Sequence, residues 1–232
     1  MQTGMELVII STVTTLLISA LVGVYLLRLW LKQSNRLITD LPLVFAVTTI
    51  CSACQVLILA LMSSGIIETS LLNFRVRSMI ISGSIIPVVG AVLQIWAPRI
   101  QKYHMKMIGA VAVYWWIMAL FGTSEAFIMT ATIPLVLISA LMLMVTFSVT
   151  WRTGRLKEIR SEWMVVGILP ALASQLLRVS LMNTPFFYVP DVLLTLSFIC
   201  VGLTFLKPKP KDESSISEED TSPKEIEMSV EY

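Results

Sequence analysis

Apolar residues run along this chain in long, nearly unbroken blocks separated by short polar stretches. A helix needs about 20 mostly apolar residues to cross the hydrocarbon core of a bilayer. Read on that length, the blocks predict seven spans: Glu6–Leu31, Leu41–Ser63, Val76–Ala97, His104–Gly122, Ala126–Trp151, Trp163–Met182 and Phe186–Leu206. Thr39-Asp40-Leu41-Pro42 reads as a helix start, with Asp40 at the N-cap and Pro42 in the first turn. Pro98 stops the third span. The fourth is the weakest, short unless Lys106 reaches out to the surface. The blocks are too long for barrel strands, and lipid offers no partner to a bare backbone group, so helices are the spanning form that fits. The expected fold is therefore all-α, a polytopic bundle of seven transmembrane helices over residues 1–206, followed by a tail over 207–232.

Composition agrees. Of 232 residues, 56% are hydrophobic and 14% charged, with mean hydropathy +0.83. An average soluble domain carries roughly 25% charged residues, enough to cover its core with polar surface. The first 27 residues hold no Lys or Arg, so no basic n-region marks a cleaved leader, and the first block reads as a retained helix.

Charge placement orients the bundle. Arg28, Lys32 and Arg36 follow span one, and Arg99, Lys102 and Lys106 follow span three. Arg152, Arg155, Lys157 and Arg160 follow span five, and Lys207, Lys209, Lys211 and Lys224 follow span seven. Fourteen of the 17 Lys and Arg residues thus fall on one side, and only Arg75, Arg77 and Arg178 fall toward the other. Basic loops stay in the cytoplasm, which predicts an outside N-terminus, a cytoplasmic C-terminus and a multi-pass protein of the cell membrane. Trp30, Trp96, Trp151 and Trp163, all at inner ends of spans, point the same way. From Asp212 onward the tail sets eight acidic residues against Lys224 alone and reads as disordered, held off the membrane by Lys207-Pro208-Lys209-Pro210-Lys211.

Charges toward the outer ends are the candidate site. Arg75 and Arg77 open span three and Glu125 precedes span five. Gln175 and Arg178 share a face of span six, and Asp191 lies near the start of span seven. A charge within a span is costly and is usually paired or facing a polar cavity. One reading makes these six residues an outward-facing pocket for a small ligand. The other, which is preferred, pairs Arg178 with Asp191 to pin spans six and seven together, at little cost so close to the surface. Gln55 and Gln94 read as interhelical glue. Thr48 with Ser52, and Ser78 with Ser82, read as small residues permitting close approach.

Other motifs are weaker. Cys51-Ser-Ala-Cys54 places two thiols on one helix face, but with no His or carboxylate nearby they read as packing residues. The 13 Met residues are scattered gap-fillers. His104 reads as a solvated interfacial side chain, and as the single histidine it leaves no His pair for catalysis or metal binding. Every Lys reads as an inner-loop or tail residue, which excludes a retinal Schiff base. No cofactor, metal site or enzymatic set is expected, and no nucleic-acid partner. Arg152, Arg155, Lys157 and Arg160 form the strongest basic patch, suited to anionic inner-leaflet lipid or, alternatively, to a cytoplasmic protein partner.

The seven-span, N-out plan resembles stand-alone sensory seven-helix modules such as those preceding kinase domains. That resemblance is topological and names no residue. It implies a receptor-like or interaction protein. The alternative is a small-solute transporter, supported by Pro87 with Gly90, Pro134 and Pro170 within spans. Prolines fall at unmatched positions in the two halves, so internal repeats find little support.

Overall fold

The computed structural model describes residues 2–34, 40–154, 159–181, 184 and 186–206. All of their regular structure is helical: α1 (Gln2–Leu31), α2 (Leu41–Ser63), α3 (Leu71–Trp96), α4 (Gln101–Phe121), α5 (Glu125–Thr153), α6 (Ser161–Ser180) and α7 (Val189–Thr204), with one 3-10 turn over Pro98–Ile100. Five helices, α1 to α5, are long and apolar enough to cross a membrane, while α6 over Ser161–Leu177 and α7 are apolar but shorter. At 1.5 Å per residue α7 is only about 24 Å long, against about 30 Å of hydrocarbon. The expected tail lies outside the described residues.

Local chemistry sets the boundaries. Asp40 occupies the N-cap of α2 in extended conformation, with proline in the first turn, although its side chain makes no capping bond. Helix α3 begins at Leu71, earlier than the apolar block predicts, because the Ser70 side chain accepts a hydrogen bond from Asn73 N–H. Arg75 and Arg77 therefore lie within its first two turns rather than ahead of it. Ser124 caps α5 in the same way, accepting from Phe127 N–H. The 3-10 turn ends at Ile100, so Lys102 and Lys106 belong to the opening turns of α4 and not to a loop. Both sit near the Tyr103 ring, at 5.0 and 5.9 Å from its centroid. Gly154 ends α5 in the left-handed conformation that favours glycine.

The helices alternate in direction and close a circuit. Helix α1 packs against α2 and α7, α3 against α2, α4 and α5, and α6 against α5 and α7. Helix α4 stands outside this circuit, touching α3 and, more lightly, α5. Two glycines permit the closest approaches. A Cβ at Gly23 of α1 would meet Ile50 Cγ1 of α2 at 2.7 Å, and one at Gly167 of α6 would meet Cys200 Cβ of α7 at 2.8 Å.

Burial is inverted relative to a water-soluble bundle. On α1, Thr12, Thr15 and Ser19 are buried while Ile10, Leu17 and Leu21 face outward, Leu21 at 66% exposure. Polar groups turned inward and large apolar groups turned outward is the arrangement lipid favours, since hydroxyls find partners only inside the protein. Several apolar helices with that inversion are the features of an integral membrane protein.

The bundle has two unlike ends. The N-terminal end gathers the starts of α1, α3, α5 and α7. The basic end gathers their finishes, with Arg28, Arg99, Arg152 and Arg160. Toward the basic end, Leu26, Phe45, Val92, Phe147, Met164 and Phe205 belong to one apolar core drawn from every helix except α4. Phe45 anchors it, with ring centroids 6.1 Å from Phe147 and 5.9 Å from Phe205 in tilted contacts.

Candidate functional site

At the N-terminal end a hydroxyl and carboxylate seam joins α1, α6 and α7. Asp191 stands in the first turn of α7 just after Pro190, which suits that turn because its missing N–H costs nothing there. The Asp191 side chain is 3% exposed. Thr12 Oγ1 donates to its Oδ2 at 2.8 Å. Thr15 Oγ1 donates to the Asp191 main-chain oxygen at 3.0 Å and lies 2.8 Å from Thr195 Oγ1, which donates to the same oxygen at 2.9 Å. Across the other flank, Ser174 Oγ of α6 donates to Pro190 O at 2.7 Å. Interhelical bonds of this kind average about 0.6 kcal/mol each in a membrane protein, so the seam's contribution is cumulative.

The six residues expected at the outer site are divided by the fold. Arg75 Nη2 donates to Gly122 O at 2.9 Å, which puts its positive charge on the C-terminal cap of α4, where the helix dipole favours a cation. The Arg77 guanidinium lies 5.9 Å from the centre of the Phe74 ring. Glu125 is exposed in the first turn of α5, and Gln175 is exposed beside buried Ser174. Arg178 is in the last turn of α6, but its side chain lies outside the described residues, and so does the expected pair with Asp191. Thr12, Thr15 and Thr195 were not among the sequence candidates. Their signal was present: Thr12, Thr15 and Ser19 stand three and four apart in an otherwise apolar block, so they share a face.

Helix α4, the weakest of the predicted spans, is tied to α3 by tryptophan. Trp115, 1% exposed, donates its indole N–H to Ser78 O at 2.9 Å, with Ser78 Oγ at 3.2 Å. Trp116 donates to Ser82 Oγ at 3.2 Å. These serines serve as acceptors as well as small residues. Thr48 Oγ1 likewise donates to Ser84 O at 3.1 Å, tying α2 to α3. His104 differs from its expected solvated state. It is 7% exposed, and its Nε2 donates to Ala97 O at 2.9 Å. The 3-10 turn folds the start of α4 back onto the end of α3, bringing the ring to that carbonyl.

At the basic end, Arg152 is exposed, and Arg155 and Lys157 lie outside the described residues. Arg160 Nε donates to Glu162 Oε1 at 3.2 Å, and its guanidinium lies 5.7 Å from the Trp163 ring centre. Its backbone N–H donates to Thr204 O at 3.0 Å, fastening the start of α6 to the end of α7. Nearby a cavity of about 280 Å³ opens between the end of α1, the start of α2 and the end of α3. Gln33, Asp40 and Gln94 line it among apolar walls that include Leu41 and Ile95. The thiols divide on α2, Cys51 half-buried and Cys54 exposed.

The class these features define is an α-helical protein with the burial pattern of a membrane bundle. Comparison with family models, with curated proteins and with solved structures returned no match.

Proposed function

We propose that the chain is a seven-span protein of the cell membrane, N-terminus outside and C-terminus cytoplasmic, acting as a receptor-like or interaction protein rather than as a conduit. One observation carries this reading. The buried polar seam at the N-terminal end and the polar-lined cavity at the basic end are separated by the apolar layer around Leu26, Phe45, Phe147 and Phe205. A transport path needs polar groups near the middle of the membrane. In this reading a small ligand or lipid meets the outer end, where Glu125 and Gln175 are exposed and Arg75, Arg77, Arg178 and Asp191 lie in the neighbouring helix ends. A shift of α7 against α1 then reaches the inner face. There Arg152, Arg155, Lys157 and Arg160 meet anionic lipid, at about 1 kcal/mol each, or a cytoplasmic protein.

The competing reading is a small-solute transporter. Its support is the cavity itself, together with Pro87, Pro134 and Pro170 inside α3, α5 and α6. Flux of a solute panel into vesicles carrying the purified protein separates the two. The receptor-like reading expects none above empty vesicles, and robust flux would sink it. Orientation has its own test: an N-terminal epitope tag should be reached by antibody on intact cells, a C-terminal tag only after permeabilisation.

A further inference from the structure

We infer that the cavity at the basic end is a binding site for a primary ammonium group on a short apolar stem. The cavity holds about 280 Å³, just under the roughly 300 Å³ at which drug-sized pockets begin, so its occupant is small. Gln94 Oε1 is buried there and finds no hydrogen-bond partner among the described residues. An acceptor in that state calls for a donor, because leaving it unmet costs its full desolvation. Among the described lining residues Asp40 is the one that carries a charge, and the Gln33 amide stands with it.

The rest of the lining narrows the chemistry. An anion would meet the Asp40 carboxylate. A quaternary ammonium has no N–H for Gln94, and the lining holds no aromatic ring to cradle it. A primary ammonium brings three donors on a compact head, suited to a carboxylate and to amide oxygens. Leu41, Ala91 and Ile95 then cover the alkyl stem. The same head occurs on free alkylamines and on ethanolamine phospholipids. The basic residues around this end, Arg28, Arg99 and Arg152 among them, attract the phosphate that accompanies the lipid form.

The test uses the full chain in phosphatidylcholine nanodiscs. Its thermal midpoint is followed while n-butylammonium is titrated in, with tetramethylammonium as the control. A parallel series replaces part of the phosphatidylcholine with phosphatidylethanolamine. A saturable rise with n-butylammonium identifies a free amine as occupant, and a rise confined to phosphatidylethanolamine identifies the lipid. In either case Asp40→Asn should weaken the response by about tenfold or more, and Gln94→Leu by about three- to tenfold. Asparagine caps helices as well as aspartate does, so Asp40→Asn keeps the start of α2. Should that variant not fold, Gln94→Glu carries the test, since a second carboxylate must tighten binding. No response from either source overturns the proposal, as do an equal response to tetramethylammonium, unchanged affinity in Asp40→Asn and Gln94→Leu, and unchanged affinity in Gln94→Glu.

Discussion

The two ends of this bundle hold together by different chemistry. Toward the basic end six helices converge on close-packed side chains, with Phe45 tilted against Phe147 and Phe205. At the N-terminal end α1, α6 and α7 are joined by hydroxyls gathered around Asp191 and Pro190. In lipid, apolar side chains gain little by leaving their solvent, so the first region depends on shape. The second depends on hydrogen bonds that lipid cannot replace. A packed core resists small displacements, whereas a seam of single bonds can exchange partners. The N-terminal end is therefore the more adaptable of the two.

The largest effect is expected from Phe147→Ala, which empties the centre of the packed core. The cost should be about 3 kcal/mol, the low end of the range for soluble cores because lipid rather than water is the reference. Reversible unfolding in mixed micelles measures it, and a cost no greater than that of a seam substitution would break the comparison. Next is Gly167→Ala, whose new Cβ would meet Cys200 Cβ at 2.8 Å. Pushing α6 from α7 should cost about 1–3 kcal/mol in the same assay.

Asp191→Ala removes the acceptor of Thr12 and should cost roughly 1–2 kcal/mol, seen as lower folded yield. If Arg178 also pairs with Asp191, Arg178→Ala lowers the yield too, and exchanging the two residues restores it. Normal yield in both single variants would rule out a structural pair. Combining Phe147→Ala with Asp191→Ala sharpens the contrast further. Regions that share no partner should add within about 0.5 kcal/mol, and a larger coupling would make α7 a route between the ends. The smallest effect belongs to Trp115→Phe, which keeps the ring and deletes the bond to Ser78. About 1 kcal/mol is expected, with faster amide exchange confined to α4.

Much of this fold was legible residue by residue. Apolar length placed all seven helices, and Asp40 with Pro42 marked the start of α2. The misplaced start of α3 has a local cause as well, since Ser70 is an ordinary capping residue lying just outside the apolar block. His104 could not be read in the same way. Its burial depends on the Pro98–Ile100 turn bringing α4 back over α3, which no periodicity reports.

By itself the sequence determined which segments are helical, that neighbours alternate in direction, and that charge collects at one end. These follow from backbone bonding and side-chain period, which act over a few residues. Only the tertiary structure decided which helices meet. It set Thr12 against Asp191, 179 positions away, turned Gln175 outward while Ser174 turned in, and interposed an apolar layer between the seam and the cavity. Those outcomes depend on how whole helix faces fit together, with Gly23 and Gly167 setting the closest approaches, and that fit is a property of the assembled bundle.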